Sequence, residues 1–375
     1  MKFTASSAEL LKSLTIAAGA VPSKSTLPIL ECILFERSGD QLRLTATDLE
    51  ISIVQQVPVR FEENGVAALR VAVPAKRMLD TLRALPDIPV RFSSDEEFNV
   101  SLKTDRGHYK MVGHDGADYP ALPELTNVDQ FQADGHVLKR AIQLTGFAVS
   151  RDSLRPAMMG IYFQINENGG RAVATDGHRL VKLETGELQS ERPLNFIVPE
   201  KAVNLAARVT TDAPCTVSVG TTHVGFDLGA ARVLSRMIDE AYPNYEAVIP
   251  MDNDRRLVVS RDAMLAAVKR VALYSSSMTN QIRLSIESSQ VEISAEDIER
   301  SSEAKESVLC EYEGEEMLIG FNAVYLNEVL SHIESEEVLF QFSTPNRAGV
   351  VTPHVQAENE DLLMLIMPVM LNTYA

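Results

Sequence analysis

The heptapeptide ATDGHRL occupies Ala174–Leu180, near the middle of a chain of 375 residues. A partial copy, ATDLE, occupies Ala46–Glu50, and a weaker echo, SAEDI, occupies Ser294–Ile298. The first two copies begin 128 residues apart and the last two 120 residues apart. Such regular spacing predicts internal repetition, which must be tested before other features of a long chain are interpreted.

Other segments recur at the same spacing. Helical patterns of apolar residues begin near Leu10, Leu138 and Leu265. The tetrapeptide VPAK at Val73–Lys76 corresponds to VPEK at Val198–Lys201. We therefore predict three tandem repeats, covering residues 1–126, 127–254 and 255–375.

The predicted fold class is α+β, with two helices and about eight strands in each repeat. Short connections between strands favour antiparallel pairing. The helices are amphipathic, so each is expected to pack its apolar stripe on a sheet. The predicted helices are Ser7–Ala20, Ala75–Leu85, His136–Val149, Glu200–Val209, Arg261–Leu273 and Ala323–Ile333.

Composition excludes several classes of protein. The three cysteines form no CxxC or Cys/His cluster, which predicts free thiols in a reducing compartment and no zinc site. The N-terminus lacks the pattern of a signal peptide, and the longest apolar run, Leu362–Leu371, is too short to span a bilayer. We expect a cytoplasmic protein with no membrane partner.

The net charge of −17 disfavours nucleic acid as a ligand, but the charges are unevenly distributed. Ten acidic residues lie between Glu292 and Glu316, whereas the predicted helices carry 11 basic residues against 5 acidic ones. Basic helices on an acidic protein could form a face that meets phosphate. The alternative is that Lys and Arg are simply good residues for exposed helix positions.

Asp176 and His178 allow three interpretations of the ATDGHRL segment. They could be a metal-binding or general acid–base pair of a hydrolase, although no third ligand or known catalytic motif accompanies them. They could belong to an ordinary turn, since Thr, Asp and Gly are turn formers. A binding loop is the third interpretation, and the Met-rich end of the chain, Leu365–Leu371, favours it because methionines at a surface adapt to different peptides.

Six motifs in the same order make the whole chain resemble the bacterial DNA polymerase III beta subunit family, the DNA sliding clamps. The motifs are Thr26–Leu30, Ala46–Glu50, Ala174–Leu180, Tyr242–Tyr245, Ile319–Asn322 and Met367–Pro368. The resemblance implies three clamp domains per chain and a head-to-tail homodimer that closes into a ring. Helices would line the hole and antiparallel sheets would form the outer wall.

The same resemblance implies a processivity factor with no catalytic site, cofactor or metal. Its partners would be double-stranded DNA, held without sequence preference, the catalytic subunit of the replicative polymerase, the clamp loader and other proteins with a clamp-binding motif. That motif is a short peptide of apolar residues and glutamine.

Site residues follow from the resemblance position by position. The implied peptide groove consists of Met158, Thr175, Gly177, His178, Arg179, Leu180, Pro243, Val248, Leu365, Met367, Pro368 and Val369. The implied DNA-binding residues are Lys24, Arg151, Lys201, Asn322 and Tyr325. The implied dimer contacts are Tyr109, Met111, Leu273 and Tyr274. The chain departs from the family pattern at Met370, at Thr279 and in the tail Asn372–Ala375.

Overall fold

The computed structural model describes residues 1–62 and 70–371, so the tail Asn372–Ala375 lies outside the described residues. The described part contains six α-helices, two in each predicted repeat. Every predicted helix is present, with ends that differ by at most three residues. The helices are α1 Ser7–Ala17, α2 Ala75–Arg83, α3 Gly135–Gly146, α4 Glu200–Val209, α5 Arg261–Ala272 and α6 Ala323–Ser331.

Strands make up most of the remaining structure, which confirms the α+β fold class. The first eleven strands are β1 Lys2–Ser6, β2 Cys32–Ser38, β3 Gln41–Thr47, β4 Ile51–Pro58, β5 Arg60–Phe61, β6 Arg70–Pro74, β7 Pro89–Ser94, β8 Asn99–Lys103, β9 His108–Val112, β10 His114–Asp115 and β11 Asp129–Asp134. The next seven are β12 Gly160–Asn166, β13 Gly169–Thr175, β14 Arg179–Thr185, β15 Leu194–Pro199, β16 Pro214–Val219, β17 His223–Asp227 and β18 Ala231–Arg236. The last eight are β19 Arg255–Ser260, β20 Gln281–Ile286, β21 Gln290–Asp297, β22 Ser302–Glu313, β23 Met317–Asn322, β24 Glu337–Phe342, β25 Gly349–Pro353 and β26 Glu360–Ile366.

The chain forms two compact units. The first combines Met1–Lys139 with Lys201–Met237, and the second combines Arg140–Glu200 with Ile238–Ala375. The first contains a five-stranded sheet of order β5-β1-β7-β8-β9 and a nine-stranded sheet of order β10-β6-β2-β3-β4-β18-β17-β16-β11. The second contains a twelve-stranded sheet of order β15-β12-β13-β14-β26-β25-β24-β19-β22-β21-β20-β23.

Each of the two larger sheets joins strands from consecutive repeats. In the first compact unit β4 pairs with β18, and in the second β14 pairs with β26, both antiparallel. The pairing of β14 with β26 places Leu180 opposite Leu365. Segments nearly two hundred residues apart along the chain therefore lie side by side at the ATDGHRL turn.

Alternation along the strands separates the core from the outer face. In β3, Leu42, Leu44 and Ala46 are fully buried and lie on the side where α1 packs, whereas Arg43 lies between them on the opposite face. Burying a leucine side chain contributes about 1.5–3 kcal/mol. Ser6 caps α1 by accepting a hydrogen bond from the amide of Glu9 at 3.3 Å. Within the described residues, no helix has the length and apolarity needed to cross a bilayer.

Candidate peptide groove and nucleic-acid face

The ATDGHRL segment forms a tight turn between β13 and β14. The hydroxyl of Thr175 donates to the carbonyl of Arg179 at 2.7 Å. The carboxylate of Asp176 accepts hydrogen bonds from the amides of His178 at 2.9 Å and Arg179 at 3.0 Å. Threonine and aspartate suit such a turn because their short side chains bond the backbone a few residues on. Asp176 therefore serves to build the turn.

Glycine suits the backbone at position 177. Gly177 has a φ of +88°, in the left-handed region that side chains disfavour. A Cβ atom at this position would lie 2.8 Å from Nη1 of Arg155 and 3.8 Å from Cε of Met158. Gly177 is exposed, so its missing side chain leaves the backbone open to the close approach of another chain.

Arg179 is buried, with 6% of its surface exposed. Its Nε donates to Asp176 at 3.2 Å, its Nη1 pairs with Glu328, and its Nη2 donates to the carbonyl of Phe147 at 2.7 Å. The guanidinium carbon also lies 5.1 Å from the ring centroid of Phe147 and 4.7 Å from that of Tyr325. Arg179 therefore fastens the turn to α6 and to the residue that follows α3.

This arrangement revises the expected part of Arg179 in binding. At least three of its five N–H groups are used within the protein, so it holds the groove wall in place more than it presents donors to a peptide. The neighbouring His178 is exposed and better placed for that contact. Its ring stacks on Tyr325 with centroids 5.9 Å apart and planes inclined by 18°. Burial raises the pKa of the Tyr325 hydroxyl, so this ring remains a neutral donor at physiological pH.

An apolar floor lies beside the turn. Leu180 and Leu365 are buried and pack with Val173, Tyr245 and Ala348. Partly buried side chains that complete the floor are Tyr162, Tyr242, Ile249 and Leu363. The ring of Tyr245 is fixed by a hydrogen bond from its hydroxyl to Oε1 of Gln164 at 2.6 Å.

The end of the chain forms the other wall. The amide of Met367 donates to the carbonyl of His178 at 2.8 Å, and the amide of Val369 donates to the carbonyl of Gly320 at 2.9 Å. Between them Pro368 has no amide hydrogen and ends the pairing of β26. Met367 is 41% exposed and Met370 79% exposed, so two flexible thioether side chains lie at the rim.

The twelve predicted groove residues all lie in the second compact unit. Strand pairing places Leu365 beside the turn, and a backbone hydrogen bond joins Met367 to it. Met158 lies next to Gly177. Pro243 and the 57% exposed Val248 lie on the segment whose Tyr242, Tyr245 and Ile249 complete the floor. The turn, Leu365, Met367 and Met158 therefore lie together in the structure, whereas the groove of all twelve residues and its role in binding a peptide stay predictions.

Sequence reasoning missed several residues that shape this site. Tyr242 and Tyr245 belong to a YPNY motif, and its match to the Asp118–Pro120 segment was a usable signal. Glu328 in α6 and Phe147, directly after α3, hold Arg179 but gave no signal, because both helices show only ordinary apolar spacing.

The first compact unit contains a second turn of the same construction. Thr47 donates to the carbonyl of Ile51 at 3.0 Å, and Asp48 accepts from the amides of Glu50 and Ile51 at 3.1 and 2.8 Å. Leu49 stands where the other turn has glycine, with a φ of +79°. This match confirms the repeat. The third echo differs, because β21 continues through it to Asp297.

Basic side chains on the helices fall into two groups. Arg140 pairs with Glu334 and Glu360, Arg270 pairs with Glu306, and their charges are balanced within the protein. Six other basic helix residues have no acidic partner within 4.0 Å among the described residues. They are Lys12, Lys76, Arg77, Lys139, Arg208 and Lys269, and all except the half-buried Lys139 are exposed.

The five predicted DNA-binding residues are found in different settings. Lys24 and Arg151 are exposed on loops of the first and second compact units, respectively. Lys201, at the start of α4, pairs with Asp48. Asn322 caps α6 by accepting from the amide of Val324 at 2.9 Å, and Tyr325 takes part in the stack on Arg179.

The predicted dimer contacts differ in exposure. Tyr109 is 37%, Leu273 81% and Tyr274 45% exposed, which is high for large apolar side chains. Met111 is only 4% exposed, although it lies two residues after the exposed Tyr109 on β9. Packing within the chain explains Met111, and it offers little surface to a partner.

Repeats of two helices on antiparallel strands, joined edge to edge into continuous sheets beside a shallow apolar groove, define a protein of the DNA-clamp class. The family models for the N-terminal, central and C-terminal domains of the DNA polymerase III beta subunit match residues 1–123, 132–244 and 246–370. The chain belongs to the DNA polymerase III beta subunit family, the beta sliding clamps.

Individual relatives agree over the full length. The chain is 32% identical to the beta sliding clamp of Pseudomonas aeruginosa, over 99% of this chain and 100% of that protein. It is also 32% identical to the beta sliding clamp of Caulobacter vibrioides, over 97% and 99%. A crystal structure of the Pseudomonas aeruginosa sliding clamp bound to griselimycin superposes with a TM-score of 0.91 at 31% identity, covering 99% of this chain and 100% of that chain. None of these comparisons supports the alternative of a hydrolase using Asp176 and His178.

Proposed function

We propose that two copies of this chain close head to tail into a ring around duplex DNA and tether a DNA polymerase to it. The full-length similarity to beta sliding clamps carries this proposal. The threefold repeat, with domains at 1–126, 127–254 and 255–375, supports it. Two copies would place six domains in one ring, and a head-to-tail interface closes a ring when the rotation per subunit fits. As a processivity factor the protein would have no reaction of its own and would work in the cytoplasm.

Two open strand edges support the dimer. Among the described strands β9 pairs only with β8, and the Ser302–Leu309 part of β22 pairs only with β21. Open edges expose backbone donors and acceptors that a second chain can use. We propose that the edge carrying Tyr109 in one copy meets the surface carrying Leu273 and Tyr274 in the other.

Exposed basic residues on the helices and loops support DNA binding by charge. Lys24, Arg151 and Lys201 would contact phosphates, and Lys201 would exchange Asp48 for a phosphate oxygen. The side-chain NH₂ of Asn322 and the hydroxyl of Tyr325 would donate to the same backbone. Contacts of this type carry no base specificity, which suits a protein that slides along DNA.

The groove would bind the clamp-binding peptides of the polymerase catalytic subunit, the clamp loader and other replication and repair proteins. Its apolar floor at Leu180 and Leu365 would take the apolar side chains of such a peptide. Exposed Gly177 would allow the peptide backbone to approach closely, and His178 would bond its polar groups. Met367 and Met370 would adapt the rim to different partners.

Retention on circular DNA tests the proposed function directly. The labelled protein is loaded onto a nicked circular plasmid by a clamp loader, and the DNA-bound fraction is measured by gel filtration before and after one restriction cut. We expect the protein to stay on the circle and to leave the cut DNA, because the ring is held by topology. As a control, streptavidin on biotinylated ends should restore retention. Equal retention on circular and cut DNA with free ends would contradict the ring.

A further inference from the structure

A cavity of about 310 Å³ opens in the first compact unit where β4 meets β18. It lies outside the proposed groove, and its walls carry two arginines, Arg43 of β3 and Arg232 of β18. No role assigned above uses either residue.

The strand register places both arginines on one face of the sheet. Thr45 and Arg232 both pair with Val54 of β4, and Arg43 precedes Thr45 by two residues and therefore shares its face. Because α1 packs on the opposite face, beside Leu42 and Leu44, the cavity faces away from the helix. The two guanidinium groups thus approach the same space from strands on either side of β4.

Both arginines lack partners among the described residues. Arg43 lies opposite Glu36 in the register, but Glu36 is paired with Arg70 at 2.8 Å. Nε of Arg43 is buried and has no hydrogen-bond partner. Buried donors of this kind are rare and call for a ligand or solvent partner.

The charge balance of the cavity is positive. Asp227 faces Arg232 across β17 and β18 and also lines the cavity, but no ion pair forms between them within 4.0 Å. Two arginines and one aspartate leave one positive charge in a protein whose net charge is −17.

The remaining walls combine the polar side chains of Ser38 and Gln56 with the apolar side chains of Val54, Leu122 and Leu234. We propose that this cavity binds an organic carboxylate with an apolar body. The carboxylate oxygens accept hydrogen bonds from Arg43 and Arg232, a pairing for which the planar guanidinium is well suited. The apolar body packs against the three side chains. Either a free small acid or the carboxyl end of a peptide chain supplies this chemistry.

Methyl-detected NMR of the full-length protein, labelled at Leu and Val methyl groups, tests the proposal. N-acetyl-leucine is titrated against its amide, which has the same apolar body without the charge. We expect the acid to shift the methyl signals of Val54, Leu122 and Leu234, and the amide to leave them unchanged. Arg43→Gln and Arg232→Gln should each weaken the acid at least tenfold. Arg37→Gln, an exposed arginine on the neighbouring strand β2, should have no effect.

Three results would overturn the site. The first is that the acid and the amide shift the methyl signals equally, and the second is that both Gln variants keep the parental affinity for the acid. The third is that inorganic phosphate binds as tightly as N-acetyl-leucine, which would remove the role of the apolar walls. Because Arg232 is exposed, Arg232→Gln retains the fold and keeps the test valid even if Arg43→Gln does not fold. A pentapeptide ending in leucine distinguishes the two sources. Tighter binding than N-acetyl-leucine supports a chain end as the ligand, and equal binding supports a small acid.

Discussion

Replacing Arg179 by methionine tests whether the groove depends on one buried cation. The variant keeps an unbranched side chain between the rings of Phe147 and Tyr325, but it removes the partner of Asp176 and Glu328. Removing one member of a buried ion pair costs about 3–5 kcal/mol. Glu328 is 40% exposed and screened by solvent, whereas Asp176 is only 14% exposed. We therefore expect Arg179→Met to lose stability at the lower end of this range, about 3 kcal/mol.

Hydrogen exchange measures this loss where it occurs. The amide of Met367 bonds to the carbonyl of His178, so it reports the opening of the turn against the end of the chain. A loss of about 3 kcal/mol should raise its exchange rate on the order of 100-fold. Binding of a labelled peptide containing glutamine followed by leucine and phenylalanine should fall in parallel, because the groove wall is no longer fixed.

An exposed ion pair supplies the control. Arg91 pairs with Glu62 through two bonds of 2.5 and 2.6 Å, but its side chain is 58% exposed and it lies in the other compact unit. Arg91→Met should cost far less stability than Arg179→Met, because an exposed ion pair is screened by solvent, and it should leave peptide binding unchanged. If Arg179→Met keeps parental exchange at Met367 and parental peptide affinity, the assignment of Arg179 as the fastening residue is refuted.

Three further predictions concern the peptide, the DNA and the dimer. Deleting Met367–Ala375 should abolish peptide binding and polymerase stimulation while the dimer persists, because the deleted segment is one wall of the groove. Changing Lys24, Arg151 and Lys201 together to alanine should weaken binding to a short duplex, with little effect of DNA sequence. The salt dependence of the binding constant should fall by the contribution of about three phosphate contacts. Leu273→Ala, which removes an 81% exposed leucine, should shift light scattering toward monomer on dilution.

Each of these predictions has a result that contradicts it. Equal peptide affinity of truncated and full-length protein would eliminate the groove. A triple variant that binds duplex as well as the parent at low salt would show that these residues do not face DNA; Arg83→Ala, at an arginine already paired with Asp80, is the matched control. A Leu273→Ala protein that stays dimeric at every concentration would remove Leu273 from the interface, and Met278→Ala, at a nearby residue 87% exposed, controls for loss of surface alone.

The elements predictable from sequence were those with a local cause. Helix α4 begins and ends at the predicted residues, because Pro199 precedes a clear helical period. The turn at Thr175–Arg179 was equally readable, since its hydrogen bonds run between residues at most four apart. Repetition then extended these local readings to the whole chain.

What could not be predicted depends on distant pairing. No periodicity in β14 or β26 indicates that they are neighbours, so the continuous twelve-stranded sheet was not foreseen. The sequence ATDGHRL likewise gives Arg179 no mark of burial, because its partner Glu328 lies 149 residues further on. The burial of Met111 could not be read from β9 either, because Tyr109, two residues before it, is 37% exposed; its place at the dimer interface stays a prediction.

The two copies of the turn separate what the fold requires from what the groove requires. Both copies keep the threonine and the aspartate that bond the backbone. In both, an amide at the end of the neighbouring strand donates to a carbonyl of the turn. The amide of Arg236 donates to the carbonyl of Glu50 at 2.9 Å, and the amide of Met367 donates to the carbonyl of His178 at 2.8 Å. The turn therefore belongs to the junction between consecutive repeats. A leucine at position 49 tolerates the left-handed backbone at a cost of about 1–2 kcal/mol, so folding alone does not demand glycine there. At position 177 an added Cβ would meet Arg155, and the residue stands exposed above the apolar floor. Glycine at this one copy is therefore what the proposed approach of a partner peptide predicts.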